Sequence, residues 1–64
     1  MLMGQIAKKF KLDTANRASD RIVASILADL TGRGGLAQAW DEIDFATQQE
    51  IVARWVQTAG QQSY

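Results

Sequence analysis

The sequence predicts an all-α fold, a small bundle of three to four short helices. Three observations carry this. Proline is absent from all 64 residues, so no segment is barred from a helix by a missing N–H or a ring clash. Apolar residues recur at helical rather than strand spacing along most of the chain. Capping residues and glycines fall where those periodic runs stop.

Residues 1–12 form the first expected helix, which is basic and amphipathic. Leu2, Ile6 and Phe10 stand at i, i+4 and i+8 with Met3 and Ala7 beside them, and Lys8 and Lys11 fall opposite. Such a helix either lays its apolar face on the core or rests on a membrane surface or in a partner's groove. The core is preferred, because a lone helix below ~12–15 residues is marginal in water and needs a support.

Asp13, Thr14, Asn16 and Ser19 supply N-cap candidates, and the second helix is expected over 14–31. Its stripe is Ala15, Ala18, Ile22, Ile26 and Leu30, widened by Val23 and Leu27. Ala15, Ala18 and Ala24 would let another backbone approach closely. Arg17, Asp20, Arg21 and Asp29 lie mostly off the stripe and are expected to face solvent.

Gly32-Arg33-Gly34-Gly35 reads as a corner, with Gly32 or Gly34 suited to the left-handed residue that closes a helix. A short third helix follows over 35–43, with Leu36, Ala39, Trp40 and Ile43 on its apolar face and Gln38, Asp41 and Glu42 opposite. Trp40 is expected to be pushed between helices, where burial removes ~150–250 Å² from water. Asp44 then caps a fourth helix over 45–59, or Thr47 and Glu50 form a capping box if it starts later. Ile51, Val52, Trp55, Val56 and Ala59 make its apolar face with Gln48 at the edge, Gly60 is expected to end it, and the polar tail 60–64 to fray.

A single domain of this length buries only ~60% of the surface its unfolded chain exposes and usually relies on disulfides, a metal or self-association. Cysteine and histidine are both absent. Self-association as a homodimer is therefore the expected support. The formal net charge is zero, yet the halves differ: residues 1–21 carry Lys8, Lys9, Lys11, Arg17 and Arg21 against Asp13 and Asp20, a net of +3. Residues 41–64 carry Arg54 against Asp41, Glu42, Asp44 and Glu50, a net of −3. No apolar run approaches the ~20 residues of a membrane span, and no sustained apolar stretch follows Met1. A soluble protein of the host cytoplasm is expected.

Triad-type nucleophilic catalysis is excluded, since there is no histidine to act as base and no cysteine to attack. Asp41, Glu42 and Asp44 are a conceivable carboxylate pair or oxygen cluster for a hard cation, but their spacing does not match the calcium-loop pattern, and helix capping accounts for them. A chain this small is also not expected to enclose a pocket of ~300 Å³. The glycines at 32–35 lack the lysine and hydroxyl residue that a phosphate loop needs, since Leu36 and Ala37 follow. No catalytic residue, cofactor or metal ligand is assigned.

A helix, a glycine turn and a short helix also describe a helix-turn-helix, but the would-be reading helix carries Asp41 and Glu42 and no cation. Nucleic-acid binding would instead use Lys8, Lys9, Lys11, Arg17 and Arg21. Two tryptophans, Phe10, Phe45 and Tyr64 exceed what a tiny core needs and fit an aromatic-rich protein interface. Phe45, directly after the cap, either staples back onto the third helix or faces a partner. Arg33 is expected to be exposed at the corner with no partner. Partner contact is accordingly assigned to Lys8, Lys11, Arg33, Asp41 and Phe45.

The run Leu30-Thr31-Gly32-Arg33-Gly34-Gly35-Leu36, followed by Trp40-Asp41-Glu42-Ile43-Asp44, then Gln49-Glu50-Ile51 and Trp55, resembles a pattern in small proteins of bacteriophages and prophages. It covers roughly residues 22–56 and leaves out the basic first helix. No activity or site residue is carried over. The resemblance implies a viral source and a habit, the binding of a host or phage protein. The expected function is thus a non-catalytic, phage-encoded accessory protein that binds and modulates another protein. The alternatives are a small DNA-binding regulator and a structural part of a phage particle.

Overall fold

The computed structural model describes residues 2–62. Four helices follow one another: α1 (Met3–Phe10), α2 (Ala18–Thr31), α3 (Gly34–Asp41) and α4 (Phe45–Gln62). Among the described residues there is no strand, and no helix is long and apolar enough to cross a membrane. Met1, Ser63 and Tyr64, the last two part of the expected fraying tail, lie outside the described residues. The organising element is α2, against which α1, α3 and α4 all pack; the glycine corner only turns the chain at its end.

The core is Ile6 of α1, Val23, Ala24 and Leu27 of α2, Trp40 of α3 and Val52 of α4. Phe10, Leu12, Leu30, Ile43, Ile51, Trp55, Val56 and Ala59 form a half-buried ring around it. The Trp40 indole stacks on Trp55 at 5.8 Å and meets Phe10 edge-on at 6.3 Å, so this one side chain ties three helices together. Its own backbone carbonyl, near the end of α3, accepts a 2.7 Å hydrogen bond from the buried Gln48 Nε2. That carbonyl also accepts the Ile43 N–H at 3.1 Å; Gln48, expected at the edge of its face, adds a second donor from inside, which uses the other lone pair.

The buried face of α2 is only partly the expected one: Val23 and Leu27 are buried and Leu30 is half-buried, as their spacing suggested, but the rest of the stripe is not. Asp20, Val23, Ala24 and Leu27, spaced i, i+3, i+4 and i+7, point inward. Ile22 and Ile26 are turned out, 44% and 51% exposed, and Ala15 and Ala18 are exposed too. Two apolar stripes compete on this helix, and packing against α1 and α4 selects the one that includes the small Ala24. Outward turning also leaves Leu2 73% exposed and Leu36 51% exposed, so neither contributes to the core as its spacing suggested. Ala39 is exposed as well.

Asp20, expected in solvent, is 5% exposed. Its Oδ2 accepts the backbone N–H of Asp13 at 2.7 Å, and Asp13 Oδ1 accepts the N–H of Asn16 at 3.1 Å. These bonds close residues 13–16 into a turn, so α2 begins at Ala18 and not at 14. A side chain that satisfies loop backbone competes successfully with helix extension.

The left-handed closure occurs at Lys11 (φ 56°, ψ 46°), where Leu12 N–H reaches back to the Ala7 carbonyl at 2.8 Å. No described glycine has positive φ. Gly32 remains right-handed (φ −87°, ψ −4°) and bonds the Asp29 carbonyl in a tightened last turn. Gly34 and Gly35 occupy the first turn of α3.

Gly60 does not stop α4, which continues to Gln62. The cost of an interior glycine is only about 0.5–1 kcal/mol, and the half-buried Ala59 holds that turn against the core. A Cβ at Gly60 would lie 4.0 Å from Ser19 Cβ, an ordinary contact. Gly60→Ala is therefore expected to stabilise the fold by about 0.5–1 kcal/mol, read as a raised urea midpoint; a lowered midpoint would show that this turn is not helical in solution.

Asp44 is the cap of α4. Its Oδ2 accepts the Thr47 N–H at 3.1 Å and its Oδ1 accepts the Thr47 hydroxyl at 2.7 Å. The hydroxyl bond first and the amide bond second hold its carboxyl below the usual carboxylate value. Because the folded value is the lower one, the contribution is present above the unfolded value near ~3.9 and is lost as the pH falls through the folded value. The wild type is expected to lose stability on acidification more steeply than Asp44→Asn, which keeps a neutral acceptor; superimposable acid titrations followed by circular dichroism would contradict this.

Candidate binding groove and its aromatic rim

The C-terminus of α1, the loop at 11–17 and the first turn of α2 face the middle of α4 across an open groove of about 310 Å³. This is as large as the pocket the chain was not expected to hold, though it is open to solvent rather than enclosed. Phe10, Leu12, Val52 and Val56 supply apolar walls. Lys11 and Arg17, both exposed, stand at its rim, and the Asp20 carboxylate that anchors the loop also borders it.

The rim continues onto an aromatic pair. Phe45, 44% exposed, stacks on Phe10 with centroids 5.8 Å apart, and Lys9 Nζ lies 5.6 Å from the centroid of each ring. Phe45 thus stacks on α1 while keeping much of its ring in water. Phe10 then joins Phe45 to the buried Trp40 and, through it, to the half-buried Trp55. A cation held over an aromatic face is attracted by the ring quadrupole, by ~0.5–1 kcal/mol at an exposed site.

The five residues assigned to partner contact separate. Lys11 lines the groove, Phe45 borders it through Phe10, and Lys8 is exposed on the same α1. Arg33 and Asp41 do not line it. Arg33 is not unpartnered: Nε and Nη2 donate to the two Asp29 carboxylate oxygens at 3.0 and 3.2 Å. That hydrogen bonding, with the charge of Asp29, raises the Arg33 pKa above its ordinary value. Asp41 is exposed at the end of α3. Asp41, Glu42 and Asp44 do not converge, and among the described residues no three carboxylates gather into a possible cation site.

Arg33–Asp29 is the only ion pair among the described residues. The cations of the first third, Lys8, Lys9, Lys11, Arg17 and Arg21, form none. Leu12, Gln49 and Val52 escape a sequence reading as groove residues because their meeting depends on how the 11–17 loop crosses α4. Lys11 and Arg17 left a trace in the charge pattern of the basic first third, and Phe10 in the surplus of aromatic residues.

No protein family model, no curated protein and no solved structure matches this chain.

Proposed function

We propose that this chain is a non-catalytic protein-binding module, a phage-encoded accessory protein that acts as a homodimer in the host cytoplasm and binds and modulates a host or phage protein. One observation carries the reading. An apolar groove is bordered by the partly exposed Phe10–Phe45 pair and by cations that form no ion pair among the described residues. Apolar walls supply affinity by losing water, and unpaired rim charges supply steering and orientation more than affinity. The complementary partner segment has an apolar side chain next to carboxylates.

The test is a titration of the labelled protein with a short acidic peptide carrying one central aromatic residue, followed by NMR. Shifts confined to Phe10, Lys11, Leu12, Gln49 and Val52 are expected, with binding weakened at least about tenfold by the double substitution Lys11→Glu, Arg17→Glu. Equal binding of a neutral peptide would remove the electrostatic half of the reading. No shift in the groove at all would remove the reading.

The unpaired cations also favour the second reading, a DNA-binding regulator that uses Lys8, Lys9, Lys11, Arg17 and Arg21. Phosphate contacts give affinity that falls steeply with salt. A short duplex that binds at low salt with such a slope would favour this regulator, and absence of binding at low salt would eliminate it.

A further inference from the structure

We infer that the outer face of α2 seats a second copy of this chain, with the two α2 helices antiparallel about a twofold axis at Ser25. This deepens the homodimer of the proposed function and makes no use of the groove.

Ile22 and Ile26 lie one turn apart on the side of α2 opposite its buried residues, and Ala18 continues their line. Met3 widens the patch: its Sδ is 3.8 Å from Ser25 Oγ, so the start of α1, with the exposed Leu2, sits beside the patch's midpoint. Scattered exposed apolar residues need no explanation, but Ile22, Ile26, Ala18, Met3 and Leu2 side by side on so small a molecule mark a contact surface.

The charges on this face select the occupant. Arg21 lies four residues before Ser25 and Asp29 four residues after it. In an antiparallel pair centred on Ser25, residues whose numbers sum to about 50 fall opposite one another. Arg21 then meets Asp29 of the partner subunit, and the reciprocal pair forms by symmetry. Ile22 packs beside Ile26 of the partner subunit in the same register. A parallel pair would instead set Arg21 against Arg21 of the partner subunit, and Asp29 likewise against its own kind. A twofold interface must be self-complementary, and only the antiparallel arrangement is.

Two details suit this face to burial. The Ser25 hydroxyl donates within its own helix to the Arg21 carbonyl at 2.8 Å, so covering it leaves no donor without a partner. Asp29 already accepts Arg33, but a carboxylate has about four acceptor positions, and Arg21 of the partner subunit takes another.

Sedimentation velocity over a concentration series tests this, with helicity followed in parallel. The wild type is expected to pass from monomer to dimer, and Ile26→Glu to stay monomeric with unchanged helicity. Arg21→Glu alone and Asp29→Arg alone each oppose like charges across the twofold and should each weaken self-association by at least about tenfold. Mixed in equal amounts, these two variants restore both opposite pairs and should form a heterodimer near wild-type affinity. A wild type that remains monomeric overturns the inference, as does a dimer that tolerates Ile26→Glu or a mixture no tighter than either variant alone. Binding of the monomeric wild type to anionic lipid vesicles, abolished by Ile26→Glu, would also overturn it by giving the face to a lipid surface. The acidic peptide titration of the groove, repeated on Ile26→Glu, keeps the two proposals separable: groove binding without dimerisation sinks this inference and the homodimer but leaves the groove, and dimerisation without groove binding sinks only the groove.

Discussion

Trp40→Ala is expected to lower the unfolding free energy by ~3–5 kcal/mol. The indole is buried, stacks on Trp55 and meets Phe10 edge-on, so its loss opens a void where α1, α3 and α4 converge on α2. A domain of this size has a total stability of only roughly 3–10 kcal/mol at ~0.05–0.15 kcal/mol per residue. The substitution therefore removes roughly a third of the total or more. The Gln48 bond to the residue 40 carbonyl is a backbone contact and survives, which limits the damage to packing. Urea unfolding followed by far-ultraviolet circular dichroism measures the loss, with Trp55 emission as a second probe. An unchanged midpoint would mean that the indole is not buried in solution.

Ile6→Ala is expected to cost ~2–5 kcal/mol and to act locally before it acts globally. Ile6 is the only fully buried side chain of α1, whose eight residues cannot hold a helix by themselves in water. Phe10 is shared with the exposed Phe45 and Lys9 and anchors α1 less firmly. Amide exchange should accelerate in α1 well before α2 and α4 lose protection, because segments with few buried contacts open by themselves. Uniform acceleration along the chain would show instead that α1 folds and unfolds with the whole. Because the groove uses Phe10, Lys11 and Leu12, a loosened α1 should weaken peptide binding in parallel.

Local chemistry was legible where it acts over one turn. The absence of proline and the apolar spacing mark out four helical segments, and Asp44 with Thr47 forms the cap its position suggests. Trp40 stands where Leu36, Ala39 and Ile43 placed it, between helices, although Leu36 and Ala39 themselves remain exposed. Glycine was the least informative signal. The corner glycines stay right-handed, Gly60 is carried through inside α4, and the left-handed closure falls to Lys11, a residue type that rarely takes it.

The candidate site was legible only as a bias. A surplus of aromatic residues and a basic first third pointed to a surface for a partner, and Lys11 and Phe45 stand on or beside the groove. Arg33 turned out to be bound to Asp29, because four residues on a helix bring the two side chains together and the corner keeps that spacing.

By itself, the sequence determined that the protein is helical, roughly where each helix lies, and that Asp44 was a candidate cap of α4. These follow from residue types and from spacing within a turn. The tertiary structure decided which of the two apolar stripes of α2 is buried, that Asp20 turns inward to hold the 11–17 loop, that Gln48 reaches the Trp40 carbonyl, and that Phe10 links the exposed Phe45 to the core. Each depends on a contact between segments distant in sequence. Helical periodicity offers more apolar surface than a 64-residue core can accept, so the choice of face rests on the fit of neighbouring helices and not on hydrophobicity alone.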